Sequence, residues 1–290
     1  MTTPRVSVVI PLYNRANLVG RAVACELAQE PAVTEVIVVD DASTDAPEAA
    51  LEAIEDSRLR MIRHPENRGA AAARNTGVKA AAGEVIAFLD SDDLWLPGKL
   101  AAQLDVLGTD GDSALIACSG YSITRPHRRE PQRVVPDSKI GPNRMIWGCD
   151  LSPGSTMLVR REAFEQIGLF DERLRRFEDW LWLLRYGMEH RLAVAKEPLV
   201  EVNVLGWPSY ELVCESCAQM LAAIASDGPR LSRPQFRKLL AAMEIEKAAA
   251  AHRHGRTRAV IQHATRSLAF WPLRNVSFWL RALRFFTLFR

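Results

Sequence analysis

A cluster of carboxylates follows an apolar run in the stretch AFLDSDDLWLP, residues 87–97. Three aspartates, Asp90, Asp92 and Asp93, lie within four positions. Like charges at this spacing repel, and each raises the pKa of its neighbours unless a positive group lies between them. Three interpretations are open: a solvated turn, an N-cap for the helix that LPGKLAAQL predicts, and a divalent cation held by hard oxygen ligands.

Apolar and amphipathic segments alternate along the first third of the chain. Continuous β-branched runs such as VSVVI (6–10) are typical of strands buried on both faces, and segments with helical spacing separate them. We expect strands at 6–10, 34–41, 59–63 and 84–90, and helices at 16–29, 46–55 and 69–81. This alternation predicts an α/β fold with a parallel, helix-covered sheet.

Beyond these elements the pattern becomes less regular. LAVAK (192–196) and VEVNVL (200–205) read as two strands, and the residues after 208 have helical spacing. We therefore expect two segments, a catalytic α/β domain at 1–207 and a helical, basic extension at 208–290.

Polar segments follow each of the four predicted strands of the first third, namely PLYNR, DDASTD, HPENRG and DSDD. Ligands of parallel sheets bind beyond the carboxyl ends of the strands. A solvated loop would have to be invoked four times, whereas one ligand site accounts for all four segments. The pattern favours a ligand site, and for the three aspartates it favours the cation.

A diphosphate bridged by a metal suits this edge of the sheet. Magnesium typically takes one or two protein carboxylates, and phosphate and water oxygens complete its shell. Asp90 and Asp92 point to the same side of an extended segment, while Asp93 has the features of a structural or capping residue. Arg68 and Arg74 offer forked donors to phosphate, although Arg74 could instead cap or solvate its helix.

The ends of the first two strands suit a nucleotide. Asp40 can accept a hydrogen bond from a base N–H or a ribose hydroxyl, since Ser43, Thr44 or Asp45 is better placed to cap the next helix. Tyr13 could stack on a base or could be a core aromatic residue.

Five stretches, in order, resemble the successive signatures of family 2 glycosyltransferases: VSVVIPLYNR, VIVVDDASTD, NRGAAAARNTG, GEVIAFLDSDDLW and FEDWLWLLR. The resemblance implies the GT-A fold, with a mostly parallel central sheet and helices on both faces. It also implies inverting transfer of a sugar from a nucleotide-diphosphate donor, with Mg²⁺ or Mn²⁺ at a DxD motif.

The same resemblance assigns residues to roles. Asp90 and Asp92 are the DxD carboxylates, with Asp92 the direct metal ligand and Asp90 also near the ribose. The catalytic base matches Asp179, favoured over its neighbour Glu178; an ionised aspartate can take a proton from the acceptor hydroxyl. Alternatively, both acids merely complement a helix dipole. The residues implied to line the nucleotide pocket are Pro11, Tyr13, Asn14 and Asp40.

Several features narrow the function. The sequence lacks the QxxRW motif and the spanning helices of the family's processive synthases, which favours addition of a single sugar. We expect a UDP-sugar donor and a saccharide or lipid-linked saccharide acceptor, in surface polysaccharide or glycoconjugate assembly. The alternatives are an inactive sugar-nucleotide binding module, against which Glu178 and Asp179 argue, and a nucleotidyltransferase. The latter would carry a Gly-rich basic loop where PLYNRANLVG stands.

Charge is unevenly distributed along the chain. The formal net charge is +2, yet residues 228–290 contain thirteen Lys and Arg against two Asp and Glu. The end of this region, 266–290, interleaves arginines with Phe, Trp and Leu. It could bind an anionic membrane surface, pack on the catalytic domain or bind a partner protein. We expect no nucleic-acid partner, because no module for that purpose is recognisable.

The cysteines and the chain start predict a cytoplasmic location. The five cysteines are odd in number and scattered, which is typical of a reducing compartment, and CESC (214–217) has no second pair at zinc spacing. No signal-peptide pattern opens the sequence. We therefore expect a cytoplasmic enzyme, with peripheral attachment to the inner face of the plasma membrane as an option for the basic tail.

Overall fold

The computed structural model of the chain describes residues 4–109, 114–124, 130–136, 142–148 and 151–272. The described residues form two compact units. The first unit lies within Met1–Pro142 and Cys149–Leu205, and the second within Asn143–Gly148 and Gly206–Arg290. The catalytic and accessory roles that we predict for 1–207 and 208–290 remain predictions.

The strands and helices are numbered in chain order. The strands are β1 Val6–Leu12, β2 Glu35–Asp40, β3 Leu59–Arg63, β4 Val85–Phe88, β5 Leu94–Trp95, β6 Ile116–Thr124, β7 Gln132–Val134, β8 Leu158–Arg160 and β9 Ala193–Asn203. The helices are α1 Ala16–Leu27, α2 Glu48–Glu52, α3 Ala70–Ala80, α4 Lys99–Thr109, α5 Pro142–Met145, α6 Pro153–Thr156, α7 Arg161–Ile167, α8 Glu178–Gly187, α9 Tyr210–Asp227, α10 Arg233–Arg253 and α11 Thr257–Phe270.

The strands form one mixed sheet in the order β3-β2-β1-β4-β8-β6-β9-β5, with β7 paired to β6. The pairs β1–β2, β1–β4 and β2–β3 are parallel, as the sequence predicts for the first four strands. β8 runs antiparallel to both β4 and β6, while β6 and β9 are parallel. The prediction of two strands at 192–196 and 200–205 is wrong: a single strand, β9 Ala193–Asn203, runs through most of both ranges.

The central strand β1 is buried on both faces, which explains its unbroken β-branched sequence. Val8 and Ile10 belong to the hydrophobic cluster that also contains Val19 and Val23 of α1. Val9 points to the opposite face, because neighbouring side chains of a strand alternate, and there it meets α3. Burial of each such side chain stabilises the fold by roughly 1.5–3 kcal/mol.

Helix α3 approaches β1 so closely that one position admits only glycine. A Cβ atom added to Gly77 would lie 2.3 Å from Cγ1 of Val9, well inside van der Waals contact. The small residues of GAAAARNTG therefore serve close packing of helix on strand. The same packing fixes the position of Arg74, one helical turn before Gly77.

The second unit contains a buried polar network that joins its three long helices. Tyr210 of α9 and Glu244 of α10 each lie 2.7 Å from a ring nitrogen of His263 of α11, Nε2 and Nδ1 respectively. Burial raises the pKa of Glu244, but hydrogen bonds from Lys247 and His263 outweigh burial and lower it. The ionised carboxylate can only accept, so Nδ1 of His263 carries a proton.

No helix in the described part of the chain combines the length and apolar character needed to span a bilayer. Most of the basic segment 266–290 lies outside the described residues, since these end at 272. Its membrane-binding and packing interpretations stay predictions.

The contact between α3 and β1 gives a first test. Gly77→Ala should lower the free energy of unfolding by about 1–3 kcal/mol, because the new methyl group must displace Val9 in a closely packed core. Gly108→Ala is the matched control, since Gly108 lies in α4 with open space around it. That substitution should leave stability unchanged or raise it by up to about 1 kcal/mol. Urea unfolding measures both, and equal effects would contradict the packing argument.

Candidate active site

The loops that follow β1 and β2 are hydrogen-bonded to each other through Asn14. Its backbone N–H donates to Ser43 Oγ at 2.9 Å, and its side-chain oxygen accepts from the backbone N–H of Thr44 at 2.8 Å. Asn14 adopts a left-handed backbone conformation, φ 51°, which directs the chain out of the sheet. Pro11 pairs with Val39 inside the sheet. These contacts place the predicted pocket residues of both loops together.

Tyr13 is 47% exposed and is therefore not a core residue. Tyr13 directly precedes Asn14 in the loop after β1, and its exposure leaves the side chain accessible to a base. Its role in stacking remains a prediction.

Asp40, the last residue of β2, is fully buried with one unsatisfied oxygen. Its Oδ1 accepts the backbone N–H of Ser43 at 3.0 Å. Nε of Arg63 lies 3.3 Å from Oδ2, yet Oδ2 has no hydrogen-bond donor among the described residues. A buried carboxylate oxygen without a hydrogen bond is costly. The geometry suits an acceptor that awaits a donor from a ligand.

Its neighbour Asp41 has a structural role that the sequence analysis missed. The Asp41 carboxylate accepts the backbone N–H groups of Arg68 and Gly69, at 3.0 and 2.7 Å, and lies 2.7 Å from Nδ1 of His64. It thereby holds the loop that leads into α3. Because neighbouring side chains alternate along an extended chain, one acid of the Asp40-Asp41 pair faces the ligand edge while the other anchors a loop.

The acidic loop after β4 is a tight turn, closed by a hydrogen bond from the Asp93 N–H to the Asp90 carbonyl at 3.0 Å. The Asp93 carboxyl accepts the backbone N–H of Asn203 at 2.8 Å and lies 2.5 Å from Ser155 Oγ. Ser155 Oγ also accepts the Asp90 N–H at 3.1 Å. Asp93 is thus a structural residue that ties the loop to α6 and β9.

Asp90 is seated against the backbone of α6. A Cβ atom added to Gly154 would lie 2.3 Å from Asp90 Oδ2, so glycine leaves room for the carboxylate. Its other oxygen accepts a hydrogen bond from Nη2 of Arg74 at 2.7 Å. Asp90, the first aspartate of the acidic loop, is therefore held from two sides.

Arg74 connects the acidic loop to the start of α8. Its Nη1 donates to Glu178 Oε1 at 2.5 Å, in addition to the bond to Asp90. The side chain is only 6% exposed, so it neither caps nor solvates its helix. Burial lowers the pKa of Arg74, but the neighbouring carboxylates outweigh this and raise it. Its proposed contact with phosphate remains a prediction.

The two acids at the start of α8 share this charge cluster. Burial and the charge of Asp179 raise the pKa of Glu178 to about 7, although Arg74 acts in the opposite direction. Burial also raises the pKa of Asp179, with Arg74 lowering it and Asp90 adding to the rise. Phe177, just before the helix, has a left-handed backbone with φ 69°, which is strained for a residue with a side chain.

The remaining cations of the site are engaged at its rim. Nη2 of Arg68 lies 2.8 Å from Glu172 Oε2, in an exposed pair. Such pairs contribute little, about 0–1 kcal/mol, so the proposed phosphate role of Arg68 is compatible with this contact. Arg15, which the sequence analysis did not consider, pairs with the carboxylate of Asp92. Burial and Asp90 raise the pKa of Asp92, whereas Arg15 lowers it.

The donor set at the acidic loop is compatible with a hard divalent cation. In the described residues no group of three or more Asp, Glu, His or Cys side chains is arranged as a metal site. Asp90 and Asp92, however, form the pair of carboxylates that magnesium or manganese can use when phosphate and water complete the shell. Asp90 raises the pKa of Asp92 by its charge, and a cation would relieve this repulsion.

Behind the acidic loop lies a buried network that the sequence analysis also missed. Lys99 donates to Gln103 Oε1 at 2.5 Å and sits 3.6 Å from the ring centroid of Trp95. Gln103 in turn donates to the carbonyl of Thr156 at 2.6 Å, and Trp95 Nε1 to that of Ser155 at 2.9 Å. This network fixes α6, on which the acidic loop rests.

The model of the protein family Glycosyl transferase family 2 matches residues 7–168 of the chain. The chain belongs to glycosyltransferase family 2. The resemblance drawn from the sequence is therefore confirmed, and the match includes the β1, β2 and acidic loops of the site. The start of α8, with Glu178 and Asp179, lies beyond the matched residues.

Relatives of this family 2 chain include proteins of polysaccharide synthesis. Succinoglycan biosynthesis protein ExoO of Rhizobium meliloti (strain 1021) is 46% identical over 192 residues, 62% of this chain and 55% of ExoO. The uncharacterized glycosyltransferase RT0329 of Rickettsia typhi is 32% identical over 186 residues, 62% of this chain and 58% of that protein. The matches thus span little more than half the length of these relatives.

Solved structures establish the GT-A fold of the chain. S. aureus TarS 1–349, in complex with UDP-GlcNAc, aligns with a TM-score of 0.59 and 19% identity over 90% of this chain and 89% of that one. The mannosyltransferase PcManGT from Pyrobaculum calidifontis, in complex with GDP-Man and Mn²⁺, aligns with a TM-score of 0.63 and 21% identity. That alignment covers 100% of this chain and 82% of PcManGT. The predicted fold class, with a C-terminal helical region, is confirmed.

The network behind the acidic loop predicts a pH dependence of stability. Burial lowers the pKa of Lys99 to about 7, against opposing effects of Glu26, Cys118 and Cys25. Above pH 7 the unfolded chain therefore binds more protons at Lys99 than the folded chain, and the free energy of unfolding rises with pH. Glu26, whose pKa burial raises, acts in the opposite direction. Both thiols have pKa values of about 12 and stay neutral.

Lys99→Met keeps the apolar stem and removes the amine. Between pH 7 and 9 wild type should gain about 1–2 kcal/mol of unfolding free energy relative to this variant, because only wild type releases a buried ammonium proton. Urea unfolding at both pH values measures the gap. Lys79→Met, at an exposed position on α3, is the control. A gap that does not change with pH would contradict the proton release.

Proposed function

We propose that the chain is an inverting glycosyltransferase that moves a single sugar from a nucleotide-diphosphate donor to a saccharide or lipid-linked saccharide acceptor. The observation that carries the proposal is the hydrogen-bonded row of Asp90, Arg74 and Glu178. It links the acidic loop, where a diphosphate would leave, to the start of α8, which carries the candidate base Asp179. One charge cluster then supplies both the groups near the leaving diphosphate and the base for the attacking acceptor hydroxyl, the two ends of an in-line displacement.

The names of related proteins support a role in surface polysaccharide or glycoconjugate assembly. Beside ExoO they include a putative teichuronic acid biosynthesis glycosyltransferase, TuaG of Bacillus subtilis. A third is the UDP-Glc:alpha-D-GlcNAc-diphosphoundecaprenol beta-1,3-glucosyltransferase WfgD of Escherichia coli. The last acts on a lipid-linked acceptor, which is the acceptor class that we propose here.

The nucleotide end of the site favours a uridine donor. Asp40 offers one buried oxygen, Oδ2, for a base, because Oδ1 is already bound to the Ser43 N–H. A uracil or thymine ring presents a single N–H on its pairing edge, whereas guanine presents two donor groups. One acceptor oxygen without a hydrogen bond in the described part of the chain matches the single N–H of uracil or thymine better than the two donors of guanine. Of the neighbouring structures, TarS is in complex with UDP-GlcNAc and PcManGT with GDP-Man, and we choose uridine because the oxygen count agrees with the former. Tyr13 would stack on the base, and Pro11 and Asn14 would shape its pocket.

Asp92 and Asp90 would hold the divalent cation, Mg²⁺ or Mn²⁺, with Asp92 as the direct ligand. Once bound, such a cation acts as a Lewis acid that stabilises the departing diphosphate. Arg74 holds Asp90 in place, and Arg68 at the rim would give its exposed guanidinium to phosphate oxygens. The chain therefore contributes orientation and fixed positive charge at this end.

At the other end of the sugar, Asp179 would take the proton of the acceptor hydroxyl as its oxygen attacks the anomeric carbon. Its neighbour Glu178 is buried and already bound to Arg74, which suits a positioning role. Asp179 is less buried, and the Trp180 N–H binds its Oδ1 at 2.6 Å, leaving Oδ2 for the acceptor. A pKa raised toward neutrality improves a general base at physiological pH.

Nucleotide binding tests the donor site. Isothermal titration with UDP, GDP and dTDP, each with Mn²⁺ and with chelator, should reveal metal-dependent binding of UDP. Asp92→Ala should abolish the metal dependence, and Asp40→Asn should weaken binding about tenfold or more, because a hydrogen bond to a charged acceptor is lost. Glu52→Gln, at an exposed position in α2, is the control. Absence of binding to all three nucleotides would refute the proposal.

Turnover tests the base. Asp179→Asn should lower the rate of UDP release from UDP-glucose or UDP-GlcNAc, with a panel of saccharide acceptors, by about 10²–10⁴-fold. The affinity of the Asp179→Asn variant for UDP with Mn²⁺ should stay within about threefold of wild type, because in the proposed function Asp179 contacts the acceptor and not the nucleotide. Glu178→Gln is the comparison. Full turnover in Asp179→Asn would assign the base elsewhere, and wild-type protein that binds UDP without transfer or hydrolysis would be a binding module.

A further inference from the structure

The ion pair between Arg15 and Asp92 joins two loops of the site that lie 77 residues apart in the sequence. Arg15 immediately precedes α1, and Asp92 lies in the acidic loop. The Arg15 side chain is 35% exposed and that of Asp92 is 15% exposed. Arg15 is therefore the more exposed member of the pair, and its guanidinium is bound to the carboxylate that is the proposed direct metal ligand.

Neither backbone depends on this pair for its position. The carbonyl of Arg15 accepts the N–H groups of Leu18 and Val19, at 3.0 and 3.1 Å, and the following Ala16 N–H donates to Asp45 Oδ2 at 2.8 Å. The carbonyl of Asp92 accepts from Asn203 Nδ2 at 2.5 Å. The two side chains can thus separate while both loops stay in place.

The two arginines that pair with aspartates of the acidic loop differ in how they can respond to a bound metal ion. Arg74 is buried and holds a second carboxylate, Glu178, so it stays beside Asp90. Arg15 is partly exposed, and Asp92 is the only carboxylate with which it pairs in the described part of the chain. A divalent metal ion bound to Asp92 would repel the Arg15 guanidinium and would take its place as the positive partner of the carboxylate. Arg15, and not Arg74, is therefore the side chain that would move away.

We infer that Arg15 is the counter-ion of Asp92 in the metal-free protein and competes with the divalent cation for that carboxylate. The inference rests on the proposed function. Once the metal ion has displaced it, the Arg15 guanidinium in the loop after β1 can bind the oxygens of a diphosphate instead. Metal and nucleotide then bind cooperatively through Arg15, and by linkage each raises the affinity for the other by the same factor.

The experiment measures Mn²⁺ binding by the electron paramagnetic resonance signal of free Mn²⁺, with and without UDP. Without nucleotide, Arg15→Gln should bind Mn²⁺ about three- to tenfold more tightly than wild type, because the competing ion pair is gone. The factor by which UDP tightens Mn²⁺ binding should shrink in the same variant. Arg15→Lys should restore most of the wild-type behaviour.

Arg21→Gln removes the same charge from an exposed position of α1, and it should change Mn²⁺ affinity by less than about twofold at physiological ionic strength. Unchanged or weaker Mn²⁺ binding in Arg15→Gln would overturn the inference while leaving the proposed function intact. Failure of wild type to bind Mn²⁺ even with UDP would overturn both the inference and the proposed metal site. The far-ultraviolet circular dichroism spectrum and the urea unfolding midpoint of each variant, measured in parallel, establish that it is folded.

Discussion

Compensation of clustered negative charge is the constraint on which the site depends. Asp90, Glu178 and Asp179 lie in surroundings where burial raises the pKa of both helix acids, and unscreened repulsion there would cost several kcal/mol. Arg74 is the central cation that makes this arrangement tolerable. It reaches that position because α3 packs directly on β1 at Gly77, and because Asp41 fixes the loop before the helix. Close backbone packing and charge balance are therefore parts of one design.

Most of the candidate functional side chains lie in strands and helices. Asp40 ends a buried strand, Arg74 lies within a helix, and Asp179 opens another, so their positions follow from backbone hydrogen bonds and packing. The acidic loop has no such frame of its own. Hydrogen bonds to Ser155 and Asn203 hold it in place, and the buried network around Lys99 supports these residues from behind. Rigid support from behind and partly exposed side chains in front allow tight positioning together with exchange of ligands.

The sequence was informative where pattern is local. The first four strands and the three helices between them lie within a few residues of their predicted ranges, because apolar runs and helical spacing leave little ambiguity. The order of β8, β6, β9 and β5 depends on pairings between distant segments, and these have no local signature. The same limit applies to the site. Candidate residues were visible, but the contacts of Arg74 with Glu178 and of Arg15 with Asp92 join positions 104 and 77 residues apart.

Gly154 has a consequence for how the site can diversify. Because the Gly154 backbone presses against one oxygen of Asp90 and Arg74 binds the other, substitution of Gly154 meets a steric conflict and substitution of Arg74 an electrostatic one. The Asp92 carboxylate, by contrast, has one ion-pair partner among the described residues, the partly exposed side chain of Arg15. Evolutionary or laboratory variation in ion preference therefore has a tolerant side and an intolerant side within one short loop, and drift should accumulate on the tolerant side.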